Sequence, residues 1–210
     1  MAIICPTTTP KTPAEFDEQM QRILPLSNRI QIDLMDEAFT GVRNSMSLDD
    51  VWWPAHITAD IHLMYSQPFD YLEQIIMMEP SLLIVHVETM FHHMHFSAEL
   101  HKAGIKSGLA ILPETPVENI EQIMHSFDHL LIFSGNLGHF GGTADLSLLD
   151  KVRRIKEHHP EVEIGWDGGV NAENARALVE GGVDVLNTGG YVNTAQDPRA
   201  AYKTLVDCLP

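Results

Sequence analysis

The sequence predicts an α/β protein folded as a single (β/α)8 TIM barrel over residues 1–210. Three observations carry this expectation. Strand-like apolar runs recur eight times, at about 2–5, 29–34, 57–63, 82–87, 106–111, 129–133, 162–167 and 183–188, with amphipathic stretches between them. The stretch from Trp166 to Val192 reads as one complete β-α-β unit, whose crossover makes its two strands parallel. A chain of 210 residues is ordinary for one such barrel and long enough to bury a substantial core.

Taken in order, the first strand ends at a proline-rich stretch, 6–13, which reads as a loop with an extended bias. Helices are expected over 14–24, 69–78, 117–127 and 146–158, with only a weak helical pattern at 42–54. In the last β-α-β unit Val162, Ile164 and Trp166 alternate along a strand. Asn171 can cap the following helix, Glu173 suits its first turn, and Ala175, Leu178 and Val179 form its buried face. Gly181 is expected to stop it in the left-handed conformation. His92, His93 and His95 fall on a solvated helix surface, and His158-His159 before Pro160 marks a helix end. Trp52 and Trp53 either cover the barrel or join a subunit interface.

Acidic residues outnumber basic ones 29 to 13, and the net charge of −16 argues against nonspecific binding to nucleic acid or to an anionic membrane. The opening M-A-I-I-C-P lacks a basic leader segment and no run approaches a transmembrane span, so a cytoplasmic protein is expected. Cys5 and Cys208 read as reduced thiols.

In a parallel barrel the C-terminal strand ends form the ligand-binding face, and polar residues there need a reason. Strand two carries Gln31 and Asp33 at period two, strand three His62, strand four His86 followed by Glu88, and strand seven Asp167. Three glycine pairs follow consecutive strands: Gly141 and Gly142, Gly168 and Gly169, Gly189 and Gly190. Their backbone N–H groups, helped by a helix N-terminus, would hold a phosphate without a lysine.

These residues resemble the ribulose-phosphate 3-epimerase family. The resemblance runs through I-D-L-M-D (32–36), D-I-H-L-M (60–64), I-V-H-V-E (84–88), G-L-A-I-L-P-E-T-P (108–116), S-G-N-L-G-H-F-G-G (134–142) and W-D-G-G-V (166–170), in order along nearly the whole chain. It implies inversion at carbon 3 of a ketose phosphate through an enediolate, with Asp33 and Asp167 as the two acid/base groups on opposite faces. It also implies a divalent metal (zinc, manganese, magnesium or iron) held by Asp33, His62 and Asp167, and a homo-oligomer. Gln31 stands where the family places a second metal-binding histidine. An amide oxygen is a harder and weaker ligand than imidazole, so zinc should suffer most. Thr7 would replace a serine hydroxyl at the substrate, and Met35 and Met64 match methionines that wall the reaction centre. His86 and the three glycine pairs complete the expected substrate-binding set. Phe133 replaces a further methionine, and His139 reads as an extra residue in the following loop. A noncatalytic phosphosugar-binding protein is the competing reading. A decarboxylase or aldolase of the related barrels fits less well, because strand three lacks their aspartate-lysine-aspartate arrangement.

Overall fold

In the computed structural model, which describes residues 2–210, eight strands close into a barrel in sequence order. They are β1 (Ile3–Thr8), β2 (Arg29–Met35), β3 (Thr58–Met64), β4 (Leu82–His86), β5 (Lys106–Ile111), β6 (His129–Phe133), β7 (Glu163–Asp167) and β8 (Val185–Thr188). Every neighbouring pair is parallel, including the closing pair of β8 with β1. The eight expected strands are all present. Strand β1 runs further than the sequence suggests, through Pro6. Its first four residues pair with β8, and Thr7 and Thr8 pair with β2, so the chain is handed from one neighbour to the other around the proline.

Helices α1 (Pro13–Ile23), α2 (Glu37–Thr40), α3 (Leu72–Met78), α4 (His93–Lys102), α5 (Leu149–His158), α6 (Ala175–Glu180), α7 (Gly190–Asn193) and α8 (Pro198–Cys208) surround the barrel. The weak 42–54 pattern yields only a 3-10 turn, Leu48–Asp50. The helix expected over 117–127 is instead two 3-10 turns, Val117–Asn119 and Met124–Ser126. Its apolar face is still buried through Val117, Ile120, Met124 and Phe127. Most of its backbone bonds, however, run from residue i+3 to residue i, a tightening that suits a segment of β-branched and polar residues with modest helix propensity.

In the last β-α-β unit, Asn171 does cap: its side-chain oxygen accepts from the N–H groups of Glu173 and Asn174, one turn ahead of α6. The helix stop lies one residue later than expected. Gly181 stays in the right-handed region at φ −77°, whereas Gly182 adopts φ +102°. The N–H of Val183 reaches the carbonyl of Leu178, and that of Gly182 reaches Val179, the two bonds of a Schellman motif with Gly182 as its left-handed residue.

Alternation along each strand separates two interiors. Ile30, Ile32, Ile61, Leu63, Leu130, Ile132 and Trp166 face the helices and belong to the large apolar core. Inside the barrel a much smaller apolar group, Leu82, Ile84, Ala110 and Leu131, fills the side formed by β4 to β6. The remaining inward positions on β1, β2, β3, β7 and β8 are largely polar, and they position the site. Burial holds the Cys5 thiol well above its usual pKa, consistent with an inert reduced cysteine; it and Cys208 are both free. No helix among the described residues is long and apolar enough to cross a membrane.

Candidate active site

In-register partners on neighbouring strands point to the same side of the sheet, and the register aligns Asp33 of β2 with His62 of β3. Strand β7 brings Asp167 from the other side. The ligand atoms of Asp33, His62 and Asp167 lie within 4.8 Å of one another. Two carboxylates and an imidazole at this spacing form a cluster able to hold a divalent cation. His62 Nδ1 lies 3.2 Å from Asp33 Oδ1 and 3.6 Å from Asp167 Oδ2.

Gln31 sits beside this pair and donates through Nε2 to Asp33 Oδ1 at 2.9 Å and to Asp167 Oδ2 at 2.6 Å. Nitrogen belongs at that position, because an amide oxygen would face two carboxylate oxygens. Gln31 thus bridges the aspartates as a hydrogen-bond donor, and a role as fourth metal ligand requires its amide to turn over. Thr9 donates its hydroxyl to the other oxygen of Asp33 at 2.8 Å.

Behind His62 the polar chain continues outward. His62 Nε2 lies 2.9 Å from His86 Nε2, and His86 Nδ1 lies 3.2 Å from Glu88 Oε2. Glu88 is anchored by the N–H of Leu112 and the hydroxyl of Thr115. The electrostatics give this chain a direction. Burial would lower the pKa of His62, but Asp167 and Asp33 outweigh it and raise it to about 9. Burial drives His86 down to about 4, against the pull of Glu88. A charged His62 therefore donates at both ring nitrogens and a neutral His86 accepts at Nε2 while donating to Glu88. Burial, and then repulsion from Asp167, raises Asp33, which His62 and Thr9 only partly oppose.

Above the carboxylates opens a cavity of about 300 Å3 whose wall includes Thr7, Thr9, Asp33, Met64, Phe133 and Asp167. All six expected glycines, Gly141, Gly142, Gly168, Gly169, Gly189 and Gly190, line it as well. Gly168 and Gly169 take φ of +115° and +70°, and a Cβ on either would run into the backbone of Gly135 or Ala144. Glycine there lets the loops after β6 and β7 touch main chain to main chain. Helix α7, which starts at Gly190, has only four residues. Its macrodipole is correspondingly small, so an anion here would rely on individual N–H groups rather than on a helix.

Most of the residues marked in the sequence thus converge. Four stand back from the cavity wall: Gln31 and His62 are buried beside the aspartates, His86 lies behind His62 and is only 1% exposed, and Met35 is buried under the loop after β6, close to Gly138. His86 therefore touches His62 rather than the cavity. His93 also differs from the solvated surface expected of it, since its ring is half-buried with Nε2 3.2 Å from the carbonyl of His86. Thr9 escaped sequence reading because it falls in the stretch taken for a loop. Its signal was the continued alternation of Thr7 and Thr9 beyond Pro6.

An eight-stranded parallel barrel carrying two carboxylates around an imidazole, beneath a glycine-walled cavity, defines a small-molecule-binding (β/α)8 protein with a metal-competent acid pair. Residues 3–193 match the model of the ribulose-phosphate 3-epimerase family. The chain belongs to that family, whose named members are isomerases. It is 28% identical over 201 residues to the ribulose-phosphate 3-epimerase of Helicobacter pylori, covering 91% of this chain and 92% of that one. The ribulose-phosphate 3-epimerase of Bacillus subtilis is 32% identical over 181 residues, 82% of each chain. Among solved structures, 3-hexulose-6-phosphate synthase from Salmonella typhimurium superposes with a TM-score of 0.71 at 13% identity, covering 98% of this chain and 97% of the other. At that identity the likeness speaks for the fold alone.

Proposed function

We propose that this chain epimerises carbon 3 of a ketose phosphate, ribulose 5-phosphate/xylulose 5-phosphate or a close pentulose or hexulose phosphate. The observation that carries the reading is the bridged pair: Asp33 and Asp167, far apart in the sequence with Gln31 donating to both, at the foot of one cavity walled by six glycines. Inversion next to a ketone needs a proton removed from one face and returned to the other, which two separately held carboxylates can do in either direction.

Each neighbour has a part in this reading. Burial and the charge of Asp167 keep Asp33 more basic than a solvated aspartate, which favours proton abstraction. Thr9 and Gln31 fix the orientation of its two oxygens. Met64 and Phe133 form apolar walls that limit water at the reacting carbon. The glycine N–H groups bind the phosphate, so remote binding energy positions the carbon between the acids. Asp33, Asp167 and a deprotonated His62 would hold a divalent cation, which would supply Lewis-acid stabilisation of the negative charge developing on the substrate.

The phosphate and proton-transfer parts are tested together. Ribulose 5-phosphate should bind far more tightly than free ribulose by calorimetry, and solvent deuterium should enter carbon 3 during turnover. Equal binding of the two sugars would remove the phosphate assignment. A specific observation supports the competing reading of a noncatalytic phosphosugar-binding protein: Gln31 donates N–H bonds into the pair where a metal ligand would offer a lone pair. Absence of exchange on every pentulose and hexulose phosphate, with and without added metal, would select it. Self-association belongs to the same proposal, since the segments that follow β3 and β4 expose Phe69, Met90 and, at the start of α4, Met94; sedimentation giving a monomer would remove it.

A further inference from the structure

Strand β8 carries one residue that the proposed chemistry leaves unused. Its sequence, V-L-N-T, alternates so that Leu186 joins the core under the helices while Val185 and Asn187 face into the barrel. Asparagine is a poor strand former, and an amide inside a barrel needs partners. Asn187 is 2% exposed, yet neither its side-chain nitrogen nor its side-chain oxygen has a hydrogen-bond partner. Both atoms therefore carry a standing desolvation penalty in the free protein.

Its place in the barrel says what could relieve that penalty. Asn187 pairs in register with Asp167 on β7 and with Cys5 on β1, and it lines the same cavity as Asp33, Asp167 and the glycines. It precedes Gly189 by two residues, roughly 6–7 Å along a strand at about 3.3 Å per residue. A ligand with its phosphate on the Gly189 and Gly190 amides and a carbon between Asp33 and Asp167 must lay its intervening carbon against Asn187.

We propose that Asn187 is a specificity-determining residue that reads the hydroxyl on the carbon between the reacting carbon and the phosphate ester. A small side-chain rotation turns the amide into the cavity that the residue already borders. The hydroxyl then donates to Oδ1, and Nδ2 donates to a neighbouring oxygen of the same sugar, so both orphaned atoms are satisfied at once. Met64 and Phe133, in the same lining, are apolar and offer no such partner. The substrate class is thereby narrowed to phosphorylated ketoses with a free hydroxyl at that carbon. This inference rests on the epimerase reading for the position of the reacting carbon.

The test is Asn187→Leu, a change of similar size that removes both polar atoms. Its thermal midpoint should rise, because an unsatisfied buried amide is gone. By calorimetry its affinity for ribulose 5-phosphate should fall about 10- to 30-fold, while its affinities for the 4-deoxy analogue and for inorganic phosphate stay at native values. Undiminished binding of ribulose 5-phosphate by the variant overturns the proposal, as does an equal loss for all three probes, which would mark a merely structural role. Should the variant fail to fold, native protein decides alone: it must prefer ribulose 5-phosphate to the 4-deoxy analogue, and equal affinities overturn the proposal. A native protein with that preference but no deuterium exchange would sink the epimerase reading and leave this one standing. A native protein that exchanges deuterium without the preference would do the reverse.

Discussion

Two polar layers are stacked inside this barrel on the same strands, and they are built to opposite ends. The lower one joins Arg29 of β2, Asp60 of β3, His129 of β6 and Glu163 of β7. The upper one joins Gln31 and Asp33, His62, and Asp167, inward positions further along three of those strands, with Gly165 between the two layers on β7. In the lower layer a permanent cation is clamped: Arg29 donates to both oxygens of Glu163 at 2.9 and 2.7 Å and through Nε to Asp60 at 2.7 Å. Burial opposes the charge on Arg29, but Glu163 and Asp60 more than restore it. Burial likewise opposes ionisation of Glu163, and Arg29 and His129 reverse this to hold its carboxyl well below the usual range. The upper layer has two carboxylates and no permanent cation, only an imidazole and an amide. A guanidinium keeps its proton and locks carboxylates as structure, whereas an imidazole partner leaves the charge state open to a ligand. The lower layer is not fully satisfied either, since Asp60 Oδ1 and His129 Nε2 lack partners.

If this contrast is right, the largest effects will come from neutralising one acid of the upper layer. Asp33→Asn or Asp167→Asn should lower turnover by about 10²–10⁴-fold or more. Asp33→Asn should leave the fold intact or stabilise it by about 1 kcal/mol, because it removes like-charge repulsion from a buried site. A variant that unfolds instead, as judged by its thermal midpoint, would show the upper layer to be structural as well.

The mirror experiment removes the cation below. Arg29→Met leaves Asp60 and Glu163 without their partner and should cost roughly 3–5 kcal/mol in denaturant unfolding. Because the site lies one layer higher, turnover of the fraction that remains folded should change little. An unfolding midpoint like the native one would erase the distinction between the layers.

A smaller effect is expected from Gln31→His, which exchanges a donor between the aspartates for an imidazole. Zinc affinity should rise on the order of tenfold, read by competition with a chromophoric chelator, with a gain in turnover only if the surrounding orientation is kept. If the glutamine form already holds stoichiometric zinc as tightly, Gln31 is no handicap and its amide turns readily.

The smallest expected effect concerns pH. Glu163 has a depressed pKa in the folded state, so its stabilisation is present above its unfolded value, near about 4.3, and is lost as pH falls through and below that value. Thermal midpoints should therefore drop more steeply with acid in the native protein than in Glu163→Gln. Parallel curves would mean that the floor's ion pair contributes nothing to acid stability, as solvent screening of the partly exposed Glu163 could bring about.

Much of this was legible in the linear chain because it depends on local period. The eightfold alternation, the inward row of Gln31 and Asp33, the histidine on β3, and the paired glycines after β6, β7 and β8 all follow from spacing along single strands, and ordered motifs pointed to the family. Period fails where an element bends its own rule: β1 continues through Pro6 and carries Thr9 to Asp33, and the 117–127 segment keeps its buried face while tightening its hydrogen bonds.

What the chain could not convey are relations across the barrel. Residue type made Gln31 a weak metal ligand, but the direction of its amide depends on Asp167, 136 residues away and brought to 2.6 Å only by closure of the sheet. His86 belongs to a strand end in the sequence and stands behind His62 in space. Arg29 looked like the start of a strand and proved to be the cation of the barrel floor. Asn187 looked like an ordinary position on β8, and only the packed interior reveals an amide with nothing to bond. Strand period is a property of the backbone and is written in order along the chain. Hydrogen-bond partnership is a property of distance and rotamer, which exist only once all eight strands have met.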